Sequence, residues 1–222
     1  MDNKLSDFFL NLLFPKQCLF CRKEEGLLCP DCGAVLDVGR NHQKQKTEYL
    51  SDLYWSLDYK NKFVKKLIRD FKYEPFIREL AETLASLIID HFKLLDKEPN
   101  FKDFFIAAVP LGKRRMKWRG FNQAEEIAKY ISGFLEIPLL DRVLVKIKPT
   151  KNQTDLNAQE RKINIEAAFF VKNKNLVEGR KILLVDDVFT TGATMEECAK
   201  ALKEAGANKI VGLALARAET KD

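Results

Sequence analysis

Two adjacent carboxylates, Asp186 and Asp187, end the aliphatic run Ile182 to Val185, and the chain then supplies Thr190, Thr191, Gly192, Ala193 and Thr194. The aliphatic run reads as a buried strand and the residues from Thr194 onward as a helix, so the acids and the Thr-Thr-Gly turn meet at a strand's carboxyl end. Threonine hydroxyls, a close backbone approach at Gly192 and the free N–H groups at the positive end of a helix make a cradle for phosphate there. Carboxylates beside such a cradle accept hydrogen bonds from vicinal hydroxyls or help to hold a magnesium ion, and a phosphorylated ribose meets both demands. A Walker-type loop does not fit, because it needs a lysine after its glycine and places glycines, not acids, before the helix. An exposed Asp pair capping a helix is the plain alternative.

A second group of reactive side chains lies near the other end. Cys18, Cys21, Cys29 and Cys32 form two C-x-x-C pairs in quick succession. In a reducing compartment each pair offers two thiolates to one tetrahedral zinc, and Pro30 and Gly33 shape the second turn. Four sulfurs close the metal's shell, leaving no position for water, so the expected role is structural. A pair of disulfides is the alternative. The fifth cysteine, Cys198, shares a helical face with Met195, Ala199 and Leu202 and reads as a core thiol.

Cations gather elsewhere. After Pro110 come Arg114, Arg115, Lys117 and Arg119, with Trp118 and Phe121 interleaved. Such a segment can neutralise a diphosphate, or it can track a nucleic-acid backbone while its aromatics stack bases. The stretch from Lys62 to Lys72 is helical in period, with Arg69 and Lys72 on a basic side that is either a solvated face or a nucleic-acid contact. Residues 146–164 lack apolar periodicity and are long for a connection, as in a flap that closes over a ligand. His42 and His91 have no partner pattern that points to catalysis.

The elements that must position these groups alternate. Strands are expected at 52–59, 103–110, 142–147, 166–171, 181–187 and 209–217, with helices between them, which is the order of a doubly wound α/β fold with a parallel central sheet covered on two faces. A polar stretch from Asp37 to Glu48 separates this part from the cysteine module, giving an N-terminal helix and four-cysteine zinc module at 1–45 and a larger domain at 46–222. In 222 residues, 46% hydrophobic and 32% charged, the composition excludes a disordered chain, and the net charge of +6 favours anionic partners. Leu5, Phe8, Phe9, Leu12 and Leu13 repeat at helical spacing. Acids at Asp2 and Asp7 argue against a targeting segment, and the expected location is cytoplasmic, with the helix docked on a neighbour or resting on a membrane surface.

The stretch ILLVDDVFTTGAT resembles the phosphoribosyl diphosphate motif of type I phosphoribosyltransferases. Together with VPLGKRRMKWRGFNQAEEIA, the spacing of polar residues from Thr150 to Phe169, LIRDFKY and the leading cysteine pairs, it resembles the ComF family over essentially the whole chain. The resemblance implies a phosphoribosyltransferase fold serving natural transformation, with single-stranded DNA, a phosphoribosyl ligand such as phosphoribosyl diphosphate and a ComFA-like helicase as partners, near the membrane uptake machinery. By motif position, Asp186 and Asp187 would hold the ribose hydroxyls, with Thr190, Thr191, Gly192, Ala193 and Thr194 on the 5-phosphate and magnesium accompanying the diphosphate. VPLGKRR would be the pyrophosphate loop, and Thr150, Gln153, Arg161 and Asn164 would belong to the flexible loop. Transferases acting on oxopurines resemble this motif but carry an aspartate base where Thr190 stands, so the resemblance does not extend to purine salvage.

Overall fold

Ile182, Leu183, Leu184 and Val185 are all fully buried, and a strand apolar on both faces of its pleat is stable only inside a sheet covered on both sides. In the computed structural model, which describes residues 15–43, 49–148 and 167–218, they occupy that position. The chain divides into two compact units, Met1–Asp37 and Val38–Asp222.

In the first unit the described residues form turns around one short helix, α1 (Pro30–Ala34), with Pro30 in its first turn, where a missing N–H costs nothing. The Arg22 N–H donates to the Cys18 carbonyl at 3.0 Å and the Gly33 N–H to the Cys29 carbonyl at 2.8 Å, each closing a tight turn after the first cysteine of its pair.

The second unit runs β1 (Asn41–Gln43), β2 (Asp52–Asp58), α2 (Lys62–Lys72), α3 (Leu80–Leu94), β3 (Phe104–Ala108), α4 (Lys113–Arg119), α5 (Gln123–Leu135), β4 (Leu144–Lys146), β5 (Phe169–Val171), β6 (Lys181–Phe189), α6 (Ala193–Glu204) and β7 (Lys209–Arg217). The main sheet has the order β1-β2-β7-β6-β3, and β4 pairs with β5 in a separate ribbon. The pairings β2–β7, β7–β6 and β6–β3 are parallel, as doubly wound order requires. Ile182 and Leu184 enter one core with Met195, Cys198, Ala199 and Leu202 of α6. Because strand side chains alternate, Leu183 and Val185 face the other side, where α3 and α5 pack on the sheet.

Three details depart from the sequence expectation. The edge strand β1 lies inside the polar stretch read as a linker, and it runs antiparallel to β2. The basic segment after Pro110 is a helix rather than an open loop: α4 starts at Gly112 and stops at Gly120, whose φ of 78° and N–H bond to the Met116 carbonyl end the helix in the left-handed region. At seven residues, α4 is too short to show a period in the sequence. Residues 150–164, which carry the expected flap with Thr150, Gln153, Arg161 and Asn164, lie outside the described residues, as does the N-terminal helical stretch.

Leu184 sits at full burial in β6, an interior strand of the sheet. Leu184→Ala is expected to destabilise the chain by about 2–5 kcal/mol. Urea unfolding with an unchanged m-value checks this.

Candidate functional site

The register of the sheet creates the site. On one side β3 ends at Ala108, opposite Val185, while on the other β7 stays paired with β6 as far as Phe189. Asp186 and Asp187 therefore emerge just past the end of β3, at the carboxyl edge where parallel sheets bind ligands. The Val109 N–H still donates to the Val185 carbonyl at 2.9 Å, and the Asn122 amide donates to the Val109 carbonyl at 3.0 Å. Asn122 also caps α5 by accepting from the Ala124 N–H, so one side chain pins the strand end to the next helix.

Asp186 accepts the Asp187 N–H at 2.8 Å. Burial, and after it the adjacent Asp187 carboxylate, pushes the Asp186 carboxyl up to about 8, against the pull of Lys72. Asp187 is 8% exposed, and its carboxylate meets the Lys72 ammonium at 2.9 Å. Lys72 closes α2, and its side chain is mostly buried and turned to the acids rather than standing on a solvated basic face. Arg69 stays at the surface and pairs with Asp70 at 3.2 Å.

Beyond the acids the chain turns at Thr190 to Gly192. Gly192 has a φ of 79°, and a Cβ there would lie 2.4 Å from the Phe189 ring, so both backbone and space demand glycine. As the N-cap of α6 it supplies no capping side chain, and the Thr191 hydroxyl reaches the Ala193 N–H only at 3.5 Å. The amide end of the 12-residue helix α6 points toward the turn, with the Glu196 carboxylate in its first turn. Thr190, Thr191, Ala193 and Thr194 are half-buried around it.

Helix α4 divides its cations. Arg114 and Lys117 are exposed, whereas Arg115 and Arg119, one turn apart, are half-buried. Burial lowers the pKa of Arg119, whose first compensating charge is Asp187. Arg119 also lies over the Tyr73 and Trp118 rings at 5.2 and 5.8 Å. Trp118 is 53% exposed and packs against Tyr73 and Phe76 with ring centroids 5.6 and 5.3 Å away. Phe121, expected beside Trp118 at the surface, is instead buried against Phe71. The pairing of Tyr73 and Phe76 with Trp118 does not stand out in the sequence, because the partner lies far along the chain. Lys146 of β4 escapes notice for the same reason: it runs past Gly112, and burial, then Arg115, lowers its pKa.

In the separate cysteine unit the four Sγ atoms of Cys18, Cys21, Cys29 and Cys32 lie within 4.8 Å of one another, and all four are free thiols. A tetrahedral zinc with Zn–S bonds of about 2.3 Å needs sulfurs about 3.8 Å apart, so the cluster is of the right size. The disulfide alternative is not realised. Cys198 is fully buried in the core, as expected.

Asp186 also yields a pH test. A carboxyl raised in the fold binds its proton more tightly there than in the unfolded chain, so this group's contribution to stability is full at acid pH and is lost as pH rises toward about 8. Ligand-free Asp186→Asn should be more stable than the parent at about pH 8, with the gap narrowing by about pH 5. Thermal melts across that range decide it.

The phosphoribosyl transferase domain family matches residues 118–221, which contain β6, the turn and α6. Competence protein ComFC of Bacillus subtilis is 31% identical over 202 residues, covering 86% of this chain and 79% of that protein. DNA utilization protein YhgH of Escherichia coli is 30% identical over 200 residues, covering 86% and 84%. Competence protein F of Haemophilus influenzae is 40% identical over 114 residues, which span 51% of this chain and half of that protein. The acids, turn and helix end described above fall inside the matched domain, and the first two relatives match over 86% of this chain: the chain belongs to the ComF family of competence proteins, with a phosphoribosyltransferase domain of α/β fold.

Proposed function

We propose that this protein binds a phosphoribosyl ligand, such as phosphoribosyl diphosphate, in the β6–α6 cradle and handles single-stranded DNA in the service of DNA uptake. The observation that carries the reading is the meeting of the Asp186–Asp187 pair with the α6 amino end across a turn that only glycine can complete. The 5-phosphate takes the amides and hydroxyls of Thr190 to Thr194, and the acids accept the ribose hydroxyls. Ligand retention is favoured over purine transfer, since Thr190 has no proton-accepting carboxylate to offer a base.

For DNA, the supporting features are Arg114 and Lys117 in solvent beside exposed Trp118 and Tyr73, a combination that suits phosphates and unpaired bases together. The names of the relatives, competence and DNA utilization proteins, point the same way. A ComFA-like helicase and the membrane uptake machinery are the partners this role calls for, with the protein on the cytoplasmic side. Among the described residues no helix is long and apolar enough to cross a membrane. Zinc fills the sulfur cluster as a structural staple. Magnesium suits a diphosphate's own oxygens, but Asp187 is a poor partner for it because Lys72 already holds that carboxylate.

Calorimetry with phosphoribosyl diphosphate should show saturable binding that Gly192→Ala weakens at least about tenfold, near 1.4 kcal/mol; equal affinity in the two proteins contradicts the cradle. Filter binding of single-stranded DNA should weaken as salt rises, with a log–log slope of about −0.7 per phosphate contact that becomes shallower in Arg114→Ala/Lys117→Ala. Affinity indifferent to salt rejects the DNA role. Elemental analysis should find one zinc per chain, released in Cys29→Ser.

A further inference from the structure

The Lys72–Asp187 pair bears on the metal that phosphoribosyltransferase chemistry ordinarily recruits. The ammonium lies 2.9 Å from Asp187 Oδ1, with Lys72 and Asp187 side chains only 19% and 11% exposed. It is delivered by the last residue of α2, a helix anchored at its other end by Asn61, which accepts the Phe63 N–H at 2.9 Å, and through its length by buried Val64, Leu67, Ile68 and Phe71. The lysine is therefore built into the site rather than resting on it from solvent. Arg119, half-buried nearby, adds a second positive charge within electrostatic reach of the same carboxylate. Two acids thus face two cations before any ligand arrives. A divalent ion bound directly to that oxygen would sit about 2.1 Å from it and would face the repulsion of the ammonium at short range.

We infer that Lys72 is the resident counter-cation of Asp187: it takes the place of a divalent ion at that carboxylate and sets its orientation, so that ribose binding at the acid pair is independent of metal. Lys72 is thereby a positioning residue for the sugar. This rests on the phosphoribosyl reading of the cradle, and it separates this chain from a site in which the paired acids and magnesium grip the sugar together. Any magnesium that enters with a diphosphate ester is held by the ester's oxygens and not through Asp187.

The test uses the full zinc-loaded chain and ribose 5-phosphate, because a diphosphate ester brings its own chelated cation. In calorimetry the parent protein and Lys72→Arg should bind ribose 5-phosphate with affinities that differ by less than about threefold with and without magnesium, whereas Lys72→Met should weaken at least about tenfold when magnesium is omitted. A parent protein that itself loses tenfold without magnesium overturns the inference, as does a Lys72→Met protein with no greater metal dependence than the parent. A second arm needs no sugar: electron paramagnetic resonance with Mn²⁺ alone should find a site in Lys72→Met that the parent lacks and that Lys72→Met/Asp187→Asn loses. If ribose 5-phosphate binds none of these proteins, the phosphoribosyl reading fails, and the Mn²⁺ arm still decides the role of Lys72. Gain of the site upholds that role, and its absence overturns it.

Discussion

Two neighbouring carboxylates at the end of a strand buried on both faces are an electrostatic liability, and much of the architecture around them acts to contain it. Asp186 spends one oxygen on the Asp187 N–H, and Asp187 spends one on the Lys72 ammonium. Burial of Asp187 limits screening by water, so its contact with Lys72 counts for more than it would at the surface. The cations come from two different elements, α2 and α4, which places the acids at the convergence of a helix end, a short basic helix and the interior strand β6. A ligand that satisfies this arrangement must offer hydroxyl donors to the acids and an anionic group to the amides one turn away, which is the bipolar pattern of a ribose phosphate.

The sheet register explains why the site opens where it does. Since β3 stops opposite Val185, short of Asp186, while β7 continues beside β6, the acids keep a paired backbone on one flank and a gap on the other. The gap is edged by Val109 to Gly112 and by α4, so the cationic helix and the acids border the same opening without competing for the same backbone. Phe189 completes the design from beneath: its ring lies against Gly192, its backbone carbonyl receives the Ala218 N–H, and the Arg217 guanidinium sits 5.6 Å from its centroid. The turn is thus held mainly by packing, with the Thr191 hydroxyl reaching the Ala193 N–H at 3.5 Å.

What the sequence discloses follows from which interactions are local. The aliphatic run 182–185, the acids, the Thr-Thr-Gly turn and the cysteine pairs are contiguous, so their chemistry is readable directly, and the period of Met195, Cys198, Ala199 and Leu202 marks the buried face of α6. The role of Lys72 is not, because its partner is 115 positions away. Likewise, Trp118 and nearby Phe121 read as sharing a surface, but α4 ends at Gly120 and the reversal of the chain there sends Phe121 into the core, leaving Tyr73 and Phe76 as the neighbours of Trp118. Three-residue β1 hides in a polar stretch because an edge strand with one solvated side needs no apolar alternation.

In the proposed binding mode a sugar phosphate seats its anionic end on the first amides of α6. Amide-resolved NMR during titration with ribose 5-phosphate should then show the largest shift changes on the N–H groups of Thr191, Gly192, Ala193 and Thr194, saturating together. Changes that leave these amides in place while others move, or no saturable change at all, would contradict it.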